Sequence, residues 1–326
     1  MKRKFCINML IISKCLLMPA ILITFITAAA MANNHPARIN ADSTIEGRWD
    51  ITVIVDGKEQ PSWLEIRHSG AKRLNGHFVG ASGSARPISR IDFVDGKMSF
   101  TIPPQWEEED KDLSFEATLQ EGKLSGTMIG SNGKSYQFTA VRAPSLKRDK
   151  APVWGTPIKL FNGKDMTGWH ALGPNQWVVE NGVLKSPKSG SNLVTDATFN
   201  DFKLHIEFRI PKGSNSGVYL RGRYEVQIAD SKGLEPLSDQ LGGVYGFIAP
   251  REMVAKEPME WQSFDITLVG RMVTVVANGK TIINDQEIPG VTGGALDSKE
   301  GTPGPLQIQG DHGAVELRNI IITPAK

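Results

Sequence analysis

The chain has 326 residues, of which 37 are Lys or Arg and 35 are Asp or Glu, and this length allows two domains that each bury a core. Its formal net charge is only +2 at pH 7. Such a balance argues against a nucleic-acid partner, because nucleic-acid-binding domains carry a clear excess of basic residues.

The first 32 residues have the pattern of a secretory signal peptide. Residues 2–4 are basic, residues 16–26 are almost wholly apolar, and small residues end the segment at Ala32. The apolar run is shorter than the ~20 residues that a membrane-spanning helix needs, so cleavage after Ala30 or Ala32 is expected rather than anchoring. We therefore expect a periplasmic or secreted protein with no membrane span.

Both cysteines, Cys6 and Cys15, lie in this segment. The mature chain is then expected to form no disulfide and to offer no thiol nucleophile, so its fold depends on packing and sheet hydrogen bonds. The segment also holds four of the 37 basic residues and no acidic ones, which leaves 33 basic against 35 acidic residues from Asn33 onward.

Six turn signals divide the remaining chain, each an Asp, Glu or Asn followed by Gly-Lys. Asp-Gly and Asn-Gly pairs accept the positive φ of tight hairpins. The signals begin at Asp56, Asp95, Glu121, Asn132, Asn162 and Asn278. Short runs of alternating apolar and polar residues flank most of them, and no twelve-residue window carries a helical stripe. The sequence therefore predicts an all-β protein of antiparallel strands.

The spacing of these signals predicts two domains. Residues 43–142 are predicted to form seven or eight strands in a small antiparallel β-barrel or sandwich of unknown role. The acidic run Glu107–Asp110 within it is typical of a solvated loop. Residues 143–157 are rich in proline and charge and are predicted to be a linker. The second domain then fills residues 158–326.

Strands predicted in the second domain carry an unusually polar second face. In YEVQIAD this face holds Glu225 and Gln227, in GVYLRG it holds Tyr219 and Arg221, and PLQIQGDH adds Gln309. A two-sheet sandwich would bury the apolar sets and leave these side chains on one outer face, which becomes a cleft if the sheet curves. Amides, guanidinium donors and aromatic rings suit a polyhydroxylated ligand, whereas the alternative is an ordinary solvated face.

Six segments occur in order along the second domain: LFNGKDMTGWHALG (160–173), WVVENGVLKS (177–186), DFKLHIEFRIPKGSNSGVYLRGRYEVQIAD (201–230), GGVYGFIAP (242–250), EWQSFDITLVG (260–270) and PLQIQGDHGAVELRNIIIT (305–323). Together these segments resemble the 3-keto-disaccharide hydrolase domain family. The resemblance implies a concanavalin-like jelly-roll sandwich. It also implies cleavage of glucosides that a separate sugar 3-dehydrogenase, the expected partner enzyme, has oxidised at carbon 3.

Such a substrate can be cleaved by β-elimination. The ketone acidifies the hydrogen on carbon 2, so a base can remove it, and loss of the group on carbon 1 gives a 2-hydroxy-3-keto-glycal that water hydrates. The site needs a base, donors for the enolate oxygen and an acid for the leaving group. The alternation supplies no obvious carboxylate pair of the glycosidase kind, so we favour a 1,2-lyase over a direct hydrolase of 3-keto-disaccharides.

Roles follow from side-chain chemistry. His312 is the predicted base, because imidazole titrates near neutral pH and GDHG is a loop at a strand end. Glu225 is the alternative base or the leaving-group acid, and Arg221 is predicted to stabilise the enolate. The residues predicted to bind substrate are Tyr219, Gln227, Asp230, Tyr245 and Gln309.

Two alternatives stay open. No cofactor is expected, but a divalent metal held by His312 with Glu225 or Asp230 would polarise the ketone directly. The other alternative is a non-catalytic carbohydrate-binding module, because the same sandwich often only binds sugars. Tyr219, Tyr245 and Trp261 would then form the platform on which a sugar stacks.

Overall fold

A computed structural model describes residues 44–326, and the predicted signal peptide lies outside them. These residues contain 21 strands and no helix, and hence no helix that could span a membrane. The barrel and the sandwich described below belong to one compact unit.

Eight antiparallel strands form the N-terminal barrel. They are β1 (Gly47–Val55), β2 (Lys58–Ser69), β3 (Arg73–Val79), β4 (Arg86–Val94), β5 (Lys97–Ile102), β6 (Leu113–Gln120), β7 (Lys123–Ile129) and β8 (Ser135–Arg142). Each strand pairs with the next, and β8 pairs back with β1 to close the barrel. Aromatic rings fill the interior, where Phe100 stacks on Phe115 at a centroid distance of 4.4 Å and Phe78 packs against both.

The predicted turns form in two ways. A non-glycine residue with φ of 49° to 51°, followed by a glycine of positive φ, makes the turn at Asp56, Asp95, Glu121 and Asn278. At Asn132 and Asn162 the side-chain oxygen instead accepts a hydrogen bond from the backbone N–H two residues on, at 2.9 Å and 2.7 Å. Both are conformations that Asp and Asn adopt readily before glycine.

Thirteen strands build the C-terminal sandwich. They are β9 (Ile158–Lys159), β10 (Trp169–Ala171), β11 (Val178–Glu180), β12 (Val183–Ser186), β13 (Leu193–Phe199), β14 (Phe202–Arg209), β15 (Asn215–Leu220), β16 (Tyr224–Ala229), β17 (Gln262–Val269), β18 (Met272–Ala277), β19 (Lys280–Glu287), β20 (Gly304–Ile308) and β21 (Val315–Pro324). The five-stranded sheet has the order β10-β13-β20-β15-β16. The eight-stranded sheet has the order β11-β12-β21-β14-β17-β18-β19, with β9 added against β21. The predicted fold class, all-β with a barrel before a sandwich, is confirmed.

The two sheets differ in how their outer faces are covered. Strand β14 of the eight-stranded sheet alternates as predicted, with Phe202 and Phe208 buried between the sheets and Lys203 exposed. In the five-stranded sheet, every residue of β16 from Tyr224 to Ile228 is buried, so both faces of this strand are shielded from water. The barrel and the loop at residues 290–295 cover the outer face.

Small residues and one aromatic contact join the barrel to the sandwich. Trp63 of the barrel meets Phe247 edge-to-face at a centroid distance of 5.3 Å. The indole lies against Gly290, where an added Cβ would be 2.1 Å from its Nε1 atom. Gly294 donates a backbone hydrogen bond of 2.9 Å to the Ala81 carbonyl oxygen. An added Cβ at Gly294 would likewise lie 2.3 Å from the Tyr219 hydroxyl oxygen, so buried side chains leave room only for glycine at both positions.

The segment predicted as a linker is fixed along the sandwich. Arg148 binds both carboxylate oxygens of Asp201, at 2.6 Å and 3.0 Å. Leu146 is buried, and the backbone N–H of Gly155 donates to the carbonyl oxygen of Pro324. These contacts attach the segment to the sandwich at several points along its length.

A buried cluster of polar groups also joins the two parts. Arg271 binds both carboxylate oxygens of Glu300, at 2.6 Å and 3.1 Å, and the Tyr224 hydroxyl donates to the same carboxylate at 2.6 Å. Burial and the neighbouring Glu300 raise the pKa of Asp50, on β1, so its carboxyl stays protonated and donates to Glu300. Burial opposes ionisation of Glu300, but Arg271 and Asp50 hold its pKa below the usual value.

We predict that Arg271→Met lowers the free energy of unfolding by ~3–5 kcal/mol, because it leaves the Glu300 carboxylate buried without its counter-ion. Urea titration followed by tryptophan fluorescence measures this change. The matched control is Lys280→Met, which removes an exposed cation 3.1 Å from Glu252 and should cost below about 1 kcal/mol. Equal losses in the two variants would contradict the prediction.

Candidate active site

A polar pocket of about 210 Å³ opens between the five-stranded sheet and the barrel. Six of the eight predicted site residues line it, namely Tyr219, Glu225, Gln227, Tyr245, Gln309 and His312. A larger cavity of about 800 Å³ lies beneath residues 143–152, and none of the eight, all of which the structure describes, lines that cavity. The polar pocket is therefore the candidate active site.

Strands β15 and β16 form the floor of the pocket, and the register between them brings several lining residues together. Tyr219 on β15 lies opposite Glu225 on β16, and Gly217 lies opposite Gln227. The Glu225 carboxyl lies over Gly217, where an added Cβ would be 2.2 Å from its Oε1 atom. Glycine at position 217 thus provides the space that the carboxyl occupies.

The buried Glu225 carboxyl is the central titratable group of the pocket. It is 3% exposed, and the Tyr219 hydroxyl donates to its Oε2 atom at 2.9 Å. Burial raises the pKa of Glu225 to about 8, although the Tyr219 hydrogen bond and the charge of His312 act in the opposite direction. At neutral pH this carboxyl is therefore mainly protonated and can donate a proton.

A histidine held by a neighbouring aspartate lies at the mouth of the pocket. His312 Nδ1 is 2.7 Å from Asp311 Oδ1, and both side chains are about half exposed, at 52% and 47%. This hydrogen bond raises the pKa of His312 and lowers the pKa of Asp311. It fixes the ring and leaves Nε2 to exchange a proton with a ligand.

Side-chain amides supply the remaining polar groups. Asn192 Oδ1 accepts a 2.8 Å hydrogen bond from the Gly310 N–H, which leaves the Asn192 amide N–H groups as donors. Three lining amide oxygens, those of Asn215, Gln227 and Gln309, are buried without a hydrogen-bond partner among the described residues. Unpaired buried acceptors are costly, and the hydroxyl groups of a sugar would satisfy them.

The structure does not bring Arg221 to this pocket, contrary to the role predicted from alternation. Strand β15 ends at Leu220, and Arg221 follows it in a turn with φ of +54°. The turn breaks the two-residue period, so the guanidinium donates to the Tyr224 hydroxyl at 2.9 Å and to the Gly270 carbonyl oxygen at 3.1 Å. Tyr224 belongs to the core between the sheets, so Arg221 lies on the side away from the pocket.

Two other predicted residues also lie elsewhere. Asp230 follows the end of β16 and accepts a 2.8 Å hydrogen bond from the Gly213 N–H, outside the pocket lining. Trp261 precedes β17, and the Arg318 guanidinium carbon lies 3.9 Å from the centroid of its ring. Trp261 therefore does not join Tyr219 and Tyr245 in a stacking platform. Among residues 44–326, no group of three or more His, Cys, Asp and Glu side chains has the arrangement of a metal site.

Sequence reasoning missed several lining groups. Asn215 shares its strand face with Tyr219 at an even spacing, so the alternation could have identified it. Asn192 lies just before β13, where no period assigns a face. The barrel supplies residues 81–83, and nothing in their sequence distinguishes them from another turn.

Comparison with known proteins agrees with this geometry. A family model described as the 3-keto-alpha-glucoside-1,2-lyase-like domain matches residues 156–323, about half of the chain. The chain belongs to this family. The predicted family resemblance is thereby confirmed, and the matched residues comprise nearly all of the sandwich and exclude the barrel.

Individual relatives are more distant. A 3-keto-disaccharide hydrolase of Bacteroides thetaiotaomicron is 32% identical over 96 residues, which cover 24% of this chain and 33% of that protein. The chain thus spans about a third of the length of this curated relative. A structure from Parabacteroides distasonis, named as a candidate glycosyl hydrolase, is 28% identical with a TM-score of 0.44, covering 56% of this chain and 96% of that one. A carbohydrate-binding module from Bacillus subtilis is 10% identical with a TM-score of 0.34, and the match covers 47% of this chain and 93% of that one.

We predict that Glu225→Gln becomes progressively more stable than the unsubstituted protein as the pH rises. The pKa of Glu225 is about 8 in the folded state against an ordinary 4.5, so the unfolded chain loses this proton first and stability falls across that interval. Glutamine mimics the neutral carboxyl and does not titrate. The gain in melting temperature should therefore grow between about pH 5 and pH 8.

The control is Glu207→Gln on the eight-stranded sheet, where Arg318 and Asn319 bind the carboxylate and the pKa of Glu207 is lowered despite partial burial. Its effect on melting temperature should be unfavourable and flat over the same pH range, because Glu207 is ionised throughout. A flat difference for Glu225→Gln would mean that Glu225 is ionised in the folded protein.

Proposed function

We propose that the protein cleaves the glycosidic bond of 3-keto-glucosides by β-elimination, as a 1,2-lyase whose glycal product is then hydrated. The observation that carries this proposal is a pocket in which an aspartate-bound imidazole lies near a buried carboxyl whose pKa is raised to about 8. The two groups provide a base and an acid at the same neutral pH. The family description and the name of the Bacteroides relative support the substrate class.

The first step is removal of the hydrogen on carbon 2. Neutral His312 takes this proton at Nε2, while Asp311 at Nδ1 orients the ring and stabilises the imidazolium that forms. The electron pair of the broken C–H bond moves to form the enolate of the 3-ketone. This step needs the ketone, so unoxidised glucosides are not substrates.

Neutral hydrogen-bond donors stabilise the enolate, since the Arg221 guanidinium lies away from the pocket. The Asn192 amide N–H groups are free to donate, because the Asn192 oxygen already accepts from Gly310. The Tyr245 hydroxyl and the Gln309 amide line the same pocket and can complete the set. Fixed donors in a site with little water favour the developing negative charge.

The second step breaks the bond between carbon 1 and the leaving oxygen. The enolate electrons form the double bond between carbons 1 and 2, the ketone re-forms, and protonated Glu225 transfers its proton to the departing oxygen. The products are a 2-hydroxy-3-keto-glycal and an alcohol. Addition of water across the new double bond then gives the free 3-keto sugar, so the net result is hydrolysis.

Direct hydrolysis is the second candidate mechanism, and one observation favours it. The pKa of Glu225 is raised and the pKa of Asp311 is lowered, which is the arrangement of an acid and an ionised carboxylate in a glycosidase. We rank it below elimination because the Asp311 carboxylate is already bound to His312.

A sugar-binding module without catalysis is less well supported. Its expected stacking platform would need exposed aromatic faces, but Tyr219 is 2% exposed and Trp261 packs against Arg318. A module that only binds also has no use for a protonated buried carboxyl. For the cellular setting we keep the proposal of an exported protein, without a bound cofactor, that receives its substrate from a sugar 3-dehydrogenase.

We predict that cleavage of a 3-keto-glucoside in heavy water gives a 3-keto sugar with deuterium at carbon 2. Elimination breaks the C–H bond at that carbon and hydration restores it from solvent, whereas direct hydrolysis leaves it intact. Early time points by NMR exclude later exchange, with the free 3-keto sugar incubated alone as the reference. Product without deuterium would establish direct hydrolysis instead.

We also predict that His312→Ala lowers kcat by about 10²–10⁴-fold, the usual contribution of a general base. The matched control is His205→Ala, because His205 Nδ1 is likewise 2.7 Å from an aspartate, Asp265, but on the outer face of the eight-stranded sheet. Activity of the unsubstituted protein should fall as the pH drops through the raised pKa of His312 and as it rises through about 8, where Glu225 ionises. Near-normal turnover by His312→Ala would assign the base to Glu225.

A further inference from the structure

The pocket is too small to hold a whole disaccharide. Its volume of about 210 Å³ lies below the ~300–1,000 Å³ of pockets that enclose drug-sized ligands, and it suits one sugar ring. If the ring that reacts occupies this space, the group on carbon 1 must extend past the mouth. The residues at the mouth therefore determine how the leaving group is bound.

The barrel forms one side of that mouth. Residues 81–83 line the pocket, and Gly83, with φ of +88°, packs against the side chain of Trp106 from the loop after β5. An added Cβ at Gly83 would lie 2.7 Å from Trp106 Cδ1, so the indole rests directly on this backbone. Trp106 also acts as a hydrogen-bond partner of Tyr245, a lining residue from the sandwich.

Trp106 is unusually accessible for so large an apolar side chain. It is 68% exposed, the highest exposure of any large hydrophobic residue in the part of the chain that the structure describes. Leaving an indole in water forfeits the free energy that its burial would provide. An exposed aromatic face beside a polar pocket is typical of a binding surface.

The loop that carries Trp106 is held rigidly. The Glu107 carboxylate accepts hydrogen bonds from the backbone N–H groups of Gln105 and Trp106, at 2.6 Å and 3.1 Å. Arg86 binds both oxygens of this carboxylate, at 3.2 Å and 3.3 Å, and also donates to the Pro103 carbonyl oxygen. Glu107 is thus a structural residue of a loop whose acidic residues, 107–110, are all exposed, as the sequence predicted. A ligand that stacks on Trp106 meets a surface that is already ordered, so little conformational entropy is lost.

We propose that Trp106 forms a subsite for the leaving group, in which a second ring bound to carbon 1 stacks on the exposed indole. The ligand class is a ring with a flat apolar face, either a second pyranose or an aromatic aglycone. This proposal rests on the proposed function for the position of the reacting ring. It assigns to the barrel, which lies outside the family match, the selection of the leaving group.

Equilibrium binding tests the subsite without requiring turnover. Isothermal titration calorimetry on the full chain compares methyl glucoside, p-nitrophenyl glucoside and a glucosyl-glucose disaccharide, each in both anomeric forms. We expect the two ring-bearing probes to bind ~3- to 10-fold more tightly than methyl glucoside, which is the range of one aromatic stacking contact. The p-nitrophenyl and disaccharide arms distinguish an aromatic from a sugar preference.

Three variants isolate the contribution of the indole. Trp106→Ala should abolish the preference for ring-bearing probes and leave the affinity for methyl glucoside unchanged, while Trp106→Phe should retain most of the preference. Val94→Ala, which removes a 66% exposed apolar residue from the barrel surface, is the control and should change nothing. Circular dichroism and melting temperature confirm that each variant is folded.

Several outcomes would overturn the subsite. They are equal affinities of the unsubstituted protein for all probes, no binding of the ring-bearing probes at millimolar concentration, or an equal loss for every probe in Trp106→Ala. Kinetics with the 3-keto forms of the same probes separate this proposal from the proposed function. Ring-dependent binding that Trp106→Ala removes, without turnover of any 3-keto probe, would refute the reaction and support the subsite.

Discussion

The close approach of two backbones, residues 81–83 of the barrel and residues 290–294 of the sandwich, determines the character of this site. An added Cβ on Gly293 would lie 2.4 Å from the Gly83 carbonyl oxygen, so only glycine allows the contact. The approach covers the polar face of the five-stranded sheet and removes Glu225 from water. A carboxyl on an open sheet face would keep a pKa near its usual value. The barrel thus helps to create the acid of the pocket without contributing a titratable group to the lining.

The same burial costs stability, because it removes several polar groups from water without giving them a hydrogen-bond partner or a counter-ion within the described part of the chain. Glu225 is held in its neutral form, and the oxygens of Asn215, Gln227 and Gln309 lack hydrogen-bond partners among the described residues. A site optimised for folding would replace these groups with apolar or paired ones. Their cost is offset by the extensive cores on either side, and each is a group that a polyhydroxylated ligand can use.

Much of the fold follows from the sequence, because its signals are local. Asp-Gly and Asn-Gly turns and two-residue alternation predicted the antiparallel strands, and alternation correctly grouped Tyr219, Glu225 and Gln309. Alternation failed at Arg221 because it applies only while the backbone is extended, and that residue has a positive φ. The contribution of residues 81–83 and the accessibility of Trp106 depend on contacts between distant parts of the chain, which no local pattern encodes.

The long sequence separation within the pocket has a consequence for how the protein is made. Its lining extends from Ala81 to His312, and the strand that follows His312, β21, is an interior strand of the eight-stranded sheet, between β12 and β14. During synthesis the barrel strands emerge first and pair with their neighbours, whereas the five-stranded sheet below the pocket waits for β20, which pairs with both β13 and β15. Strands that are far apart in the sequence pair slowly during folding. Until the last strand is in place the nascent chain exposes an incomplete sandwich, and the apolar core between its two sheets remains open to water.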